Sequence, residues 1–262
     1  MNKLILEKLF RWTDNEKKIK YILSHSNLTI DDINKAAVVS VRNPYHSFGH
    51  TLGAAEQGIR IAIAEGRPIS EINLIVYALL YHDAGHPGRP GLRDEMNAFD
   101  LANSVLFPSD TIIIGPDHNR VMQSIRELIL ATTFPGNRGK TTDGLIRIVH
   151  DADLAHLGQG PIYWPWASMG LYDEFKLTQP NLTIESFIRD EQQKFVNYLL
   201  SLSGTGKVFV SDGAQKIFSD PVKDVQFVKS LPIGAIYYAY GVSKENVSLS
   251  EFKTKIECLL VA

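Results

Sequence analysis

The chain has 262 residues, 44% of them hydrophobic and 21% charged, the composition of an ordinary globular protein able to bury a core. Its formal net charge is −2 with no Lys/Arg cluster, so a nucleic-acid backbone is not an expected partner. Apolar runs are too short for a membrane span, charge comes too early at the N-terminus for a signal peptide, and the single cysteine, Cys258, fits a reducing cytosol. A soluble cytoplasmic protein is expected.

Residues 4–23 place Leu4, Ile5, Leu9, Trp12, Ile19, Ile22 and Leu23 at helical spacing, with a break or new cap expected at Thr13-Asp14. Thr29-Ile30-Asp31-Asp32 reads as the start of a helix reaching Val41. After Pro44, Tyr45-His46-Ser47-Phe48-Gly49-His50 leads into a helix with Ala54, Ile59, Ile61 and Ile63. Gly66-Arg67-Pro68 ends it, and Ser70 caps an apolar helix that should end near His86, where Pro87 and Gly88 open a loop.

Further helices are expected over 92–106, stopped by Pro108, and over 117–133, with Val121, Ile125, Leu128 and Ile129 on one side. Residues 134–139 form a loop, and 145–157 a buried helix with His150, Asp151 and Asp153. Residues 158–166, including Tyr163, Trp164, Pro165 and Trp166, read as an irregular aromatic segment, a piece of core or pocket wall. A helix over 183–202 ends in a Ser/Gly turn, 207–210 suits a short strand, and the pattern after Ser219 is ambiguous. No repeat, low-complexity segment or long linker interrupts the chain, so one all-α domain over residues 1–262 is the simplest account.

The chemistry concentrates in Tyr81-His82-Asp83-Ala84-Gly85-His86-Pro87-Gly88. On a helix, His82 and His86 share a face that Asp83 borders. His46 and His50 repeat the same spacing, and Asp153 arrives on a separate helix. Imidazoles and carboxylates from three helices make the mixed donor set expected of a catalytic Zn, Mn, Fe or Mg site. A carboxylate such as Asp83 can also bridge a second cation, creating a two-metal centre that holds a hydroxide for in-line attack on phosphorus. His150-Asp151 is a second His-Asp pair, but phased with Asp153 only one or two of these residues can face a site, and Asp153 is preferred. His25, His118 and His156 read as surface or structural.

His50, His82-Asp83 and Asp153 resemble the H…HD…D signature of HD-domain phosphohydrolases. More narrowly, Tyr45-His46-x-x-x-His50, His82-Asp83-x-Gly85-His86-Pro87-Gly88 and Val149-His150-x-Ala152-Asp153-Leu154 resemble the catalytic domain of class I cyclic-nucleotide phosphodiesterases. The stretch 94–106 is similar to that family's Ser-Glu-Leu-Ala helix, with Glu95 on its functional glutamate. Leu130-Ala131-Thr132 is similar to its Leu-Ala-Thr-Asp segment, and Gln192, Phe195 and Tyr198 to its Gln-x-x-Phe-x-x-Tyr stretch. The resemblance spans about residues 40–200. Several surrounding positions depart from it: Ser47 stands where the family has Asn, Thr51-Leu52-Gly53 lacks its acidic residue, and Thr133 replaces its Asp. The double-His segment after the Glu95 helix and the Gly before Phe195 are also missing.

The resemblance implies a compact multi-helix fold and two divalent metal ions of the Zn, Mg, Mn or Fe group. His50, His82, Asp83 and Asp153 would bind the first ion, with Asp83 bridging to a second held mainly through waters placed by His86 and Glu95. His46 would be the general acid, Gln192 would hydrogen-bond the base edge, Phe195 would stack on its ring, and His150 would orient a ligand. The reaction implied is the opening of a 3′,5′-cyclic nucleotide to the 5′-monophosphate. A broader HD phosphohydrolase, acting on nucleotide monophosphates, alarmones or other phosphoesters, needs only the four ligands. A non-catalytic nucleotide-binding module has no use for a general acid. The expected partner is thus a small phosphoester, a nucleotide on this resemblance, with neither nucleic acid nor membrane expected and no oligomeric state implied.

Overall fold

Side-chain caps set several of the helix starts. The computed structural model describes residues 12–41, 43–86, 92–106, 116–133, 141–160 and 163–232, with single positions beyond; side chains 12–14, 92–94, 116–118 and 163–168 are outside the description. Helix α1 is Trp12–His25 and α2 is Ile30–Val39. Thr29 caps α2 in a reciprocal box with Asp32, each side chain accepting the other residue's backbone amide. Phe48–Ala64 forms α3, Ile69–Tyr81 α4, Leu92–Leu106 α5 and Pro116–Ala131 α6. Asp143 accepts the Leu145 and Ile146 amides to start α7, Gly144–Asp153, which passes into a 3-10 turn, Ala155–Gly158.

Tyr163–Thr178 is α8. A short α9, Ile184–Ser186, runs through a π-helical turn, Phe187–Glu191, into α10, Gln192–Ser203. Ser211 caps α11, Asp212–Ile217, and Asp220 caps α12, Pro221–Ser230, whose first residue is the proline that position tolerates best. Among the described residues there is no β-strand, and the all-α expectation holds.

Helix α4 is the central rod: Ile72, Ile75, Val76, Ala78, Leu79, Leu80 and Tyr81 bury it on more than one face, as an almost wholly apolar helix demands. Helix α3 packs against α4 and also against α1, α7 and α11, while α6 packs against α4, α5 and α7. The three elements carrying ligand-type residues, α3, α4 and α7, therefore share one core. No helix among the described residues is long and apolar enough to cross a membrane.

Several boundaries differ from the sequence expectation. Helix α1 runs unbroken from Trp12 with Thr13 and Asp14 in its first turn; Leu4, Ile5 and Leu9 lie outside the described residues. Helix α2 stops at Val39, and Ser70 lies inside α4, whose cap position is Pro68. Val121 is 44% exposed, and Met122 takes its place in the core. Tyr163-Trp164-Pro165-Trp166 opens a helix, because proline in a first turn forfeits no intrahelical hydrogen bond. Residues 207–210 are not a strand: the Val210 amide donates to Asp151 instead of to a sheet partner. The expected loop 134–139 and the stops at Pro87 and Pro108 fall outside the described residues.

Candidate active site

His50 lies in the first turn of α3, His82 caps the C-terminal end of α4, Asp83 follows in the turn, and Asp153 is the last residue of α7. His50 Nε2 is 3.0 Å from Asp153 Oδ1 and 3.5 Å from Asp83 Oδ2; His82 Nε2 is 3.2 Å from each of those oxygens. Metal–donor bonds of about 2.1 Å put neighbouring donor atoms about 3 Å apart, so donors of His50, His82 and Asp83, all within 4.8 Å of one another, are spaced to share one cation, and Asp153 adjoins the two imidazoles. His82 Nδ1 lies 2.8 Å from the Leu79 carbonyl, which can only accept, so Nδ1 carries a proton and Nε2 is the nitrogen that would give its lone pair to a cation. His82 Nε2 and Asp83 Oδ2 are buried with no hydrogen-bond partner, the state of atoms placed for a metal.

The charges ask for a cation. Burial opposes ionisation of Asp153, but His82 and His50 outweigh it and hold its carboxyl well below the usual carboxylate range. Burial likewise lowers His82, but Asp83 and Asp153 push it up to about 10. A divalent ion answers the same two carboxylates, and the C-terminal ends of α4 and α7 add their partial negative charge. The residues present fit a divalent metal.

Helix α4 ends at Tyr81 rather than near His86, so His82 and His86 do not share a helical face. Gly85 adopts φ +70, a left-handed conformation that turns the chain away, and its amide donates to the Val39 carbonyl. Asn43 Nδ2 donates to the His86 carbonyl at 2.9 Å. The turn brings His86 back beside Asp83, and donor atoms of His46, Asp83 and His86 lie within 4.8 Å of one another, a second candidate cation position.

His46 is held by a residue that sequence reading did not find. Glu174, on α8, has a side chain only 2% exposed. Its Oε1 accepts the Tyr45 and His46 amides at 2.7 and 2.9 Å, and its Oε2 lies 2.6 Å from His46 Nδ1. Gly170, one turn earlier, permits this approach: a Cβ there would sit 2.4 Å from the Pro44 carbonyl oxygen. Burial opposes ionisation of Glu174, but the hydrogen bond and charge of His46 and the two amides hold its carboxyl below the ordinary value. For His46, burial is outweighed by the Glu174 hydrogen bond and the charges of Asp83, Glu174 and Asp153, so its pKa rises. With Nδ1 tied to a carboxylate, Nε2 is the nitrogen that can pass a proton. The His86 ring stacks on His46 at 4.1 Å and 20°.

The remaining expected residues are less tightly assembled. Glu95 is half-buried in the first turn of α5, and His150 is buried in α7 one turn before Asp153. Asp151 is fully buried and spent on structure: it accepts from the Val210 and Ser211 amides and the Ser211 hydroxyl. Gln192 is buried at the start of α10 and Phe195 packs against the core, but neither joins the ligand cluster. His156, read from the sequence as surface or structural, lies at the site: its Nδ1 is 3.0 Å from the Tyr45 hydroxyl, and burial, with His50 next, pushes it down to about 3. His25 stacks on Tyr21, and the His118 side chain lies outside the description.

No protein-family model and no curated protein matches the sequence. Solved structures do match in fold. The phosphodiesterase domain of the RhoPDE fusion protein from the choanoflagellate Salpingoeca rosetta aligns with TM-score 0.59 at 14% identity, covering 97% of this chain and 95% of that one. A second structure, of the phosphodiesterase domain of Salpingoeca rosetta rhodopsin phosphodiesterase, aligns with TM-score 0.52 at 14% identity, covering 95% and 90%. The likeness extends over nearly the whole of each chain. The fold built around this cluster is that of phosphodiesterase domains.

Proposed function

We propose that the protein is a divalent-metal-dependent phosphodiesterase that opens a 3′,5′-cyclic nucleotide to the 5′-monophosphate. The observation that carries this reading is the convergence of His50, His82, Asp83 and Asp153 beside a carboxylate-held imidazole, His46, whose ring centroid is 5.9 Å from that of His50. The phosphodiesterase-domain fold supports it.

His50, His82, Asp83 and Asp153 would hold one cation, and Asp83, with His86 and Glu95, a second. Bound there, divalent cations supply Lewis-acid activation of the phosphoester and of the attacking water. The chain's own part is positioning and proton transfer. His46 gives its proton to the departing ribose oxygen as the bond between phosphorus and O3′ breaks and the water oxygen bonds to phosphorus. Glu174 keeps the ring turned and favours its protonated form until then. The attacking water gives up one proton to solvent and the imidazole takes one back, so the net change is addition of water across P–O3′. Gln192 and Phe195 would meet the base. Gln192 directly follows a π-helical turn, its amide donating to the Phe187 carbonyl, and such turns recur at functional sites.

The test is hydrolysis by the purified protein with Mn²⁺ or Mg²⁺ on cAMP, cGMP, nucleoside monophosphates, a guanosine tetraphosphate alarmone and a bis-aryl phosphodiester. Selective turnover of a cyclic nucleotide is expected. Asp83→Ala should lose metal binding and turnover together. His46→Ala should keep the metal and lose about 10²–10⁴-fold in rate on a nucleotide. Activity on the other esters alone would move the protein to the broader phosphohydrolase class, and metal binding without any turnover would favour a binding module.

A further inference from the structure

Tyr45 touches more of the site than any role so far given to it explains. Its ring lies against His50, with centroids 4.6 Å apart and planes tilted by 36°, and meets His46 edge-on at 5.0 Å. Its hydroxyl shares a 3.0 Å hydrogen bond with His156 Nδ1, and its amide donates to Glu174. His156 sits in the 3-10 turn directly after Asp153. One side chain thus connects the segment bearing His46 and His50 to the turn following the ligand of α7.

The two ligand imidazoles are oriented by different means. His82 is fixed through Nδ1 by the Leu79 carbonyl. Among the described residues no hydrogen bond fixes His50 through Nδ1; what lies along its ring is Tyr45. A metal-binding imidazole ordinarily needs such a partner to fix its plane.

We propose that Tyr45 and His156 form a positioning pair: their hydrogen bond clips the His46–His50 segment to the Asp153 turn, and the Tyr45 ring so held sets the plane of His50. The proposal rests on the metal-site reading above. Neither residue binds metal or substrate in this account. The hydroxyl serves the site by anchoring the ring.

Mn²⁺ titration of the purified full chain, followed calorimetrically, tests this without relying on turnover. Tyr45→Phe keeps the ring and deletes the clip; His156→Leu deletes it from the other side; His156→Gln restores a polar partner. Each deletion should weaken Mn²⁺ affinity about 10-fold. The double variant should be no weaker than the worse single one, because both remove the same bond, and His156→Gln should recover most of the loss. Unchanged affinity in Tyr45→Phe, or losses that multiply in the double variant, would overturn the pair while leaving the metal site standing. Wild-type protein that binds no more Mn²⁺ than Asp83→Ala would overturn both. Cooperative unfolding in chelator checks that each variant is folded; should His156→Leu not fold, Tyr45→Phe and His156→Gln decide the question.

Discussion

A buried carboxylate is costly unless its charge is answered. Glu174 is answered by two backbone amides and the His46 imidazole. Cations on Asp83 and Asp153 would cancel much of the pull of those two groups on His46, leaving Glu174 as the partner that keeps its pKa raised. Glu174→Gln preserves the shape and removes the charge. His46 should then lose its proton at lower pH, so the alkaline limb of the kcat–pH profile moves toward acid and the plateau falls by about 10²-fold. A limb that stays in place would show that Glu174 does not govern His46. Nothing near Glu174 in the sequence marks it, since its partner is 128 residues away. The convergence of His50, His82, Asp83 and Asp153 was legible because ligand chemistry, on which they were singled out, restricts both residue type and spacing. Helical phasing also separated Asp153 from Asp151, which the structure spends on backbone amides.

Between elements, the close approach of α8 to the 44–46 segment decides whether Glu174 can reach its partners. Gly170 is the contact point, and Gly170→Ala would place a Cβ against the Pro44 carbonyl with little room to yield. The variant should lose rate as Glu174→Gln does, with Mn²⁺ affinity within about threefold of wild type because the four ligands lie on other elements; parallel kinetics and titration check this. A rate equal to wild type would show that the segment can move aside. The helix start at Thr29 was readable from its residue type, the Asp143 cap was not singled out, and the apolar periodicity located most helices. Helix α8 was not legible, because Pro165 amid bulky aromatics reads as a breaker until its first-turn position is known. The end of α4 was misplaced for a related reason. The conformation of Gly85, which carries the chain out of the helix, depends on contacts with Val39 that no local pattern announces.

Across the whole molecule, α3, α4 and α7 pack into one core and meet at the proposed cation, so binding there joins elements distant in sequence. A ligand that binds only the folded state stabilises it by about 2.7 kcal/mol at a hundredfold excess over Kd. Thermal unfolding of wild-type protein should therefore shift upward on adding Mn²⁺ and back on chelation, while Asp83→Ala should not respond. The same midpoint with and without metal in wild type would place the binding site outside this core. The general architecture was legible in the sequence, since the all-α expectation and the phosphodiesterase-like motifs both agree with a fold shared at only 14% identity. The candidate ligand residues carried that resemblance, whereas Ser47 and Thr133 departed from it, so substrate recognition is where sequence reading was weakest.

The central claim is that metal at this cluster drives hydrolysis of a cyclic phosphodiester. Its most direct test is ³¹P NMR of cAMP or cGMP with chelator-treated protein as Mn²⁺ is returned stepwise. The account predicts no conversion before metal is added. The signal of the 5′-monophosphate should then grow at a rate that saturates with the measured Mn²⁺ occupancy and is absent in Asp83→Ala. Conversion that proceeds equally in chelator, or a fully occupied site that leaves the cyclic nucleotides intact, would contradict it.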